Sequence, residues 1–309
     1  MDSQQLRENN AQVVRLGCQA LVAASLARWL GPAKQILTII ALALAGALSA
    51  CSLATPPLQR ATLLAERGRT AEAIRALEEY LAEHPTEHAE RRLLIRLYGS
   101  SGDFAAAARQ TERLAELLPA DSPLPWVELG SAFELGHRYD EALSAYDRAA
   151  SVAPRDPLGP KRGGLRAARW GELDLAEPRL REAVRRAPGD AEAWHALGVV
   201  LLGLSRLDAA RQAYGAGITA DERALENRLG LATVALRQNE PSAALAQYEL
   251  LLEARPKFTE ALLGKSWCLI LMGEYASAAA VLHEAERLGA DRTSIARQRV
   301  EIGARERAR

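Results

Sequence analysis

The chain has 309 residues, with 39 basic side chains against 39 acidic ones and 49% of residues in the hydrophobic class. Balanced charge leaves no electrostatic footprint for nucleic acid, and the scattered arginines lack the interleaved aromatic platforms that single strands stack on. An Ala/Leu-rich composition with only three phenylalanines points to helices, and no stretch reads as a strand.

Residues 1–50 form an N-terminal extension of different character. A semi-apolar stretch from Val13 to Leu30 contains Cys18, and Arg7, Arg15, Arg28 and Lys34 lie in and around it. From Gln35 to Gln59 no side chain is charged, and an apolar run from Ile36 to Ala47 ends in Leu48-Ser49-Ala50-Cys51. That run and its ending resemble the lipobox signal of bacterial lipoproteins. The resemblance implies cleavage before Cys51, diacylglycerol on its thiol and a further acyl chain such as palmitate on the new amino terminus. Several acyl chains together give stable membrane anchoring where one would be marginal. A leader reaching Cys51 is longer than the usual signal peptide of about 15–30 residues. Gln35 to Leu53 is also close to the ~20 residues that a bilayer requires, so an uncleaved membrane-spanning helix stands as the alternative, with the basic residues on the cytoplasmic side. Both readings carry the remaining chain across the membrane. Ser52, rather than Asp, follows the cysteine; by resemblance to Gram-negative lipoproteins this implies an outer-membrane protein facing the periplasm, whereas the spanning alternative implies the inner membrane.

After a short linker at residues 51–57, one pattern recurs from residue 54 to residue 292. It is fullest between Pro123 and Asp156: Trp126-x2-Leu129-Gly130-x2-Phe133, then Ala142-x3-Tyr146, Ala149 and Pro154. Trp126, Leu129 and Phe133 share one face of a helix, and Ala142, Tyr146 and Ala149 form the matching face of a second. Gly130, Ala142 and Ala149 are small where the helices would cross, so the backbones can approach closely. The connection from Gly136 to Asp140 supplies a helix stop, with Asp140 as the cap of the next helix, and Pro154 ends that helix. At spacings of about 34 residues, units begin at Ala54, His88, Pro123, Pro157, Ala191, Leu225 and Thr259. The crossing residue is Ala73, Ala107, Ala142, Ala176, Ala210, Ala244 and Ala278 in turn. Turn glycines recur as Gly68, Gly102, Gly171 and Gly273, and terminal prolines as Pro85, Pro119, Pro154, Pro188 and Pro256. Two units depart from the pattern. Thr55-Pro56-Pro57 delays the first helix of the first unit to about Leu58, and Pro160, where the fourth unit lacks its tryptophan, is expected to shorten or reset that helix. Residues 293–309 are charged on most sides around Ile295, Val300 and Ile302, which predicts a capping helix fading into a disordered, charged tail.

These motifs resemble the tetratricopeptide repeat, a helix-turn-helix unit, across residues 54–292. The resemblance implies an all-α fold, a right-handed superhelical solenoid of about seven units with a C-terminal capping helix. It also implies a concave groove lined by the first helix of each unit. The family's groove positions fall on Arg92 and Arg96; Val127, Ser131 and Glu134; Lys161 and Leu165; His195, Val199 and Leu202; Leu229, Thr233 and Leu236; and Leu263, Trp267 and Ile270. Such a groove is basic near its start and apolar near its end. The apolar half suits a hydrophobic or amphipathic peptide segment, with Trp267 as an exposed anchor. Packing of Val199, Leu202, Leu229 and Ile270 against neighbouring repeats is the competing reading. The Lys-Asn-Asn-Lys-Arg clamp of the chaperone-binding branch has no counterpart, since Asn227 and Asn239 are the only asparagines in the repeats.

Chemistry finds no foothold in the pattern. His84 and His88 flank Pro85 at a unit boundary, Cys18, Cys51 and Cys268 are too far apart for a zinc spacing, and Cys268 reads as a small buried hydrophobe. Phosphate-loop, zincin, nucleophile-elbow and dinucleotide-binding motifs are missing, and the repeats leave no room for a catalytic domain. The expectation is a scaffold or adaptor, not an enzyme, with no catalytic residue, metal, cofactor, nucleic acid or small-molecule substrate, binding other envelope proteins or peptide segments. The alternatives are a factor resembling the pilotins that help a type IV pilus or secretion-system secretin assemble, and a membrane-spanning repeat factor for polysaccharide assembly or export.

Overall fold

The computed structural model describes residues 56–308, and fifteen α-helices and no strand occur among them. They run in pairs: α1 (Pro57–Glu66) and α2 (Thr70–Glu83), α3 (His88–Ser101) and α4 (Phe104–Leu117), α5 (Leu124–Leu135) and α6 (Tyr139–Val152), α7 (Leu158–Arg169) and α8 (Leu173–Arg186). Three more pairs follow, α9 (Ala191–Gly203) and α10 (Leu207–Ala220), α11 (Leu225–Arg237) and α12 (Pro241–Ala254), α13 (Thr259–Met272) and α14 (Tyr275–Arg287), before a last helix α15 (Arg292–Arg307). Cys18, Cys51 and the apolar segment from Gln35 to Leu53 lie outside the described residues. No helix among the described residues is long and apolar enough to cross a membrane.

The pairing follows from where the chain is small. Ala73, Ala107, Ala142, Ala176, Ala210, Ala244 and Ala278 are all fully excluded from solvent. At each of these points a second helix passes over its neighbours, and a methyl group lets the axes close up. Large side chains then fill the space around the crossing. Tyr214, for example, is buried between α9 and α11, where a Cβ added at Gly198 or Gly230 would come within 2.5 Å or 2.3 Å of its ring. From α2 onward each second helix also packs on the first helix of the next pair, so that apolar clusters follow one another along the array.

Each connection within a pair turns through one residue in the left-handed region. That residue is Gly68, Gly102, Gly171 or Gly273 in four pairs, with φ between 75° and 86°, but His137 (58°), Ser205 (61°) and Asn239 (59°) in the other three. The turn is thus uniform although its glycine is not.

Three local expectations are corrected. Pro160 neither shortens nor resets α7, which runs from Leu158 to Arg169 with Pro160 as its third residue. An amide there has no partner within its own helix, so nothing is lost when proline removes it. Asp140 is not a cap, because α6 begins one residue earlier and Arg138 precedes it, bonding Glu141 through Nε at 2.8 Å. Asp140 sits in the first turn, where its charge still favours the helix dipole. The charged tail does not fade: α15 stays helical to Arg307, with Asp291 accepting hydrogen bonds from the amides of Thr293 and Ser294 at its start.

First helices touch one another directly, α3 with α5, α5 with α7, α7 with α9 and α9 with α11, whereas second helices pack on first helices. Closer spacing on the first-helix side puts that side on the inside of the bend.

Candidate functional site

The inner face is built from α3, α5, α7, α9, α11 and α13. At its start, α5 lies between two rows of arginines. Arg92 and Arg96, one turn apart on α3, both reach Glu128, with Nη2 of Arg92 at 2.6 Å and Nη1 of Arg96 at 3.6 Å. The Glu128 side chain is only 5% exposed, so losing its pairing would strand a buried charge. On the opposite flank of α5, Glu134 Oε1 lies 2.8 Å from Arg166 Nε; the approach is too oblique for a hydrogen bond to that oxygen, so the pair is ionic only. Arg162, Arg166 and Arg169 recur at i, i+4 and i+7 along one face of α7, and all three add positive field at Glu134. Burial nevertheless raises the Glu134 carboxyl above its ordinary range, against the pull of Arg166 and the Tyr146 hydroxyl. Between the two carboxylates, Ser131 Oγ donates to the Val127 carbonyl at 3.0 Å and stands 3.4 Å from the Tyr146 hydroxyl.

Farther along, Lys161 is tied down. Its Nζ bridges Asp190 and Glu192, each at 2.7 Å, and although burial opposes the ammonium, the two carboxylates prevail and raise its pKa. His195 is half-buried with its ring tilted against Tyr214, centroids 5.8 Å apart, and its Nδ1 has no partner. Burial lowers its pKa, opposed by Glu226 and Glu192.

The apolar residues are less uniform than their spacing suggests. Val199 is 47% exposed, while Leu202 is half-buried against the core of α8 to α10. Leu229 packs on the cluster around Tyr248, and the Thr233 hydroxyl is used by its own helix, donating to the Leu229 carbonyl at 2.9 Å. Trp267 is not the exposed anchor expected of it; together with Leu263 it packs on the cluster formed by α13, α14 and α15. Two positions assigned to the groove are interior. Val127 is 6% exposed, packed with Ala142 and Tyr146, and Ile270 is fully buried in the cluster that α15 helps to close.

The carboxylates that neutralise this face escape a frame of groove positions because Glu128 and Glu192 come from the unit after the cation they meet, and Asp190 is the cap that precedes that unit's first helix. The row Arg162, Arg166 and Arg169 was legible by its helical spacing alone. Cys268 is fully buried, and burial pushes its thiol up to about 12, which suits packing and not nucleophilic work.

A solenoid of helical hairpins with a graded inner face defines a class of interaction protein. Tetratricopeptide repeat models match residues 58–122, 92–160, 162–224 and 229–293, and the chain belongs to the tetratricopeptide repeat family. It is similar in sequence to the mouse BBSome complex member BBS4, 30% identical over 148 residues that make up 48% of this chain and 28% of the mouse protein. The chain therefore spans less than a third of that relative's length. Among solved structures, it is similar to the C-terminal part of a repeat-containing protein from Cytophaga hutchinsonii, with 15% identity, 77% of this chain and 98% of that one covered, and a TM-score of 0.58. It is also similar to PilF of Pseudomonas aeruginosa, at 18% identity, 69% and 97% coverage and a TM-score of 0.51. Likeness at these identities shows the fold alone. Proteins of this family bind peptides or other proteins, and this chain is a repeat protein of that interaction-mediating kind.

Proposed function

We propose that this chain is a non-enzymatic scaffold of a bacterial envelope, anchored through lipid on Cys51 and gripping a partner protein along its first-helix face. The anchor is supported by the run Leu48-Ser49-Ala50-Cys51 behind an uncharged apolar segment. The binding role is carried by one observation, that on the inner face of stacked first helices Val199 stays 47% exposed near the half-buried His195 and Leu202. Isolated apolar side chains are ordinary on a surface, but one set in a row of first helices is placed for a ligand.

Two measurements test the reading. Mass spectrometry of protein purified from envelope membranes should find an acylated chain beginning at Cys51, and Cys51→Ser should remain unprocessed; an unacylated chain retaining residues 1–50 would support the membrane-spanning alternative instead. Crosslinking in the same membranes should capture partners that Val199→Asp loses. Retention of every partner by a folded Val199→Asp chain would sink the groove assignment. The narrower reading as a pilotin-like assembly factor rests on the same pairing of lipobox and repeats, and would require a secretin subunit among those partners.

A further inference from the structure

We infer that the inner face between α3 and α7 is a receptor for an acidic segment of the partner protein, resting on the reading above that this face binds a protein. Five guanidinium groups, those of Arg92, Arg96, Arg162, Arg166 and Arg169, are gathered around two carboxylates, Glu128 and Glu134. Pairing within the cluster is therefore incomplete. Arg92 and Arg96 share one carboxylate between them while remaining 39% and 43% exposed, and Arg166 holds Glu134 without a hydrogen bond to the oxygen it faces. Arg162 and Arg169 are exposed and lend only their field. The Ser131 hydroxyl, partly exposed between the two rows, is a further polar contact, with the buried Tyr146 hydroxyl 3.4 Å beneath it.

Such a surplus is costly to the fold unless solvent or a ligand meets it, because like charges a helical turn apart repel. A planar guanidinium offers paired donors that match a carboxylate, so aspartate or glutamate side chains are the chemistry this surface fits. The surplus also ends sharply. On α7 itself Lys161 is held by two carboxylates, and beyond that helix Val199 and Leu202 take over the inner face. An occupant that is acidic at one end and apolar at the other would be read in one direction only, since reversing it sets its acids against Asp190, Glu192 and Glu226. Nucleic acid is the competing polyanion, and the face offers no exposed aromatic between the arginine rows for a base to stack on.

Fluorescence anisotropy on the full chain tests this with a labelled synthetic peptide carrying four glutamates followed by alternating leucine and alanine. Two further probes are the same peptide with glutamine for glutamate and a labelled oligothymidylate. The acidic peptide should bind at least about tenfold more tightly than its glutamine form, with affinity falling as salt rises from low to physiological strength. The double substitution Arg162→Gln and Arg169→Gln, which leaves both buried carboxylates paired, should weaken it about fivefold or more. Arg109→Gln with Arg113→Gln on α4 should change nothing. Equal binding of the two peptides, no binding of the acidic one, or tighter binding of the oligonucleotide through the same arginines overturns the inference. If Val199→Asp still abolishes binding of the glutamine peptide, the groove survives that failure; if neither Val199→Asp nor the arginine substitutions alter any probe, the groove reading falls with it.

Discussion

Ser205 occupies with φ 61° the turn position that glycine takes in four other pairs. A side chain in that region is strained by roughly 1 kcal/mol, part of which glycine gives back by loosening the unfolded chain. Ser205→Gly should therefore stabilise the protein by about 0.5 kcal/mol, and Gly171→Ala should destabilise it by about 1 kcal/mol, both readable as shifts of the urea midpoint. His195 gives the residue scale a second, pH-dependent handle. Its folded pKa is depressed by burial, so the unfolded chain binds the proton more readily. Its contribution is thus fully present above the ordinary histidine pKa and is lost as pH falls through the lower folded value. Urea midpoints at pH 7.5 and 5.5 should fall more for the native chain than for His195→Gln, and an equal fall would show that the half-buried ring carries no such linkage.

The elements are held apart by distances that single atoms set. Gly99 brings α3 against α5 so closely that an added Cβ would lie 2.3 Å from the Ala132 carbonyl oxygen and 2.5 Å from its Cα. Both are backbone atoms, which cannot rotate away. Gly99→Ala should cost about 2–3 kcal/mol and part the two helices that carry Arg92, Arg96 and Glu128, whereas Gly215→Ala, with nothing within 4 Å of the new methyl, should stabilise α10 by up to about 1 kcal/mol. Thermal unfolding of the two variants side by side measures the contrast. Charged side chains also tie units together. Arg186 of α8 donates from Nη1 to the carbonyls of Ala150, Ala153 and Asp156, closing the C-terminal end of α6 from the neighbouring pair. Hydrogen bonds from Arg185 and then from Arg186 hold the Glu182 carboxyl down to about 2.

At the scale of the whole array, stability is a sum of units and the interfaces between them, and an end unit has only one interface. At the C-terminal end of the described residues, α15 supplies the missing partner, placing Ile295 at 2% and Ile302 at 8% exposure against the last hairpin. Gln298 pins it there by donating to the Leu263 carbonyl at 3.0 Å. A chain ending at Ala290 should lose roughly 3 kcal/mol of apolar burial and expose Leu282 and Ile270. Size-exclusion chromatography and urea unfolding should show self-association and early melting of α13 and α14. A truncated chain as soluble and cooperative as the native one would mean the last hairpin closes itself.

By itself the sequence determined the class of fold, because recurring small residues at fixed spacing leave helices only one way to cross, and all seven crossing alanines are indeed interior. It also marked Cys51, whereas the arginine spacing on α7, though present in the sequence, falls outside the groove frame and goes unmarked by it. What only tertiary structure decided is which of the inner-face residues are free. Pairing of Lys161 with Asp190 and Glu192 and of Arg92 with Glu128 depends on the next helical pair, about 34 residues on, while the burial of Val127, Ile270 and much of Trp267 depends on the second helix of the same unit and, at the C-terminal end, on α15; spacing within one helix carries no record of what another helix brings against it. Turn geometry divides the same way: glycine announces the left-handed residue, but His137, Ser205 and Asn239 adopt it only because the helices on either side are already docked.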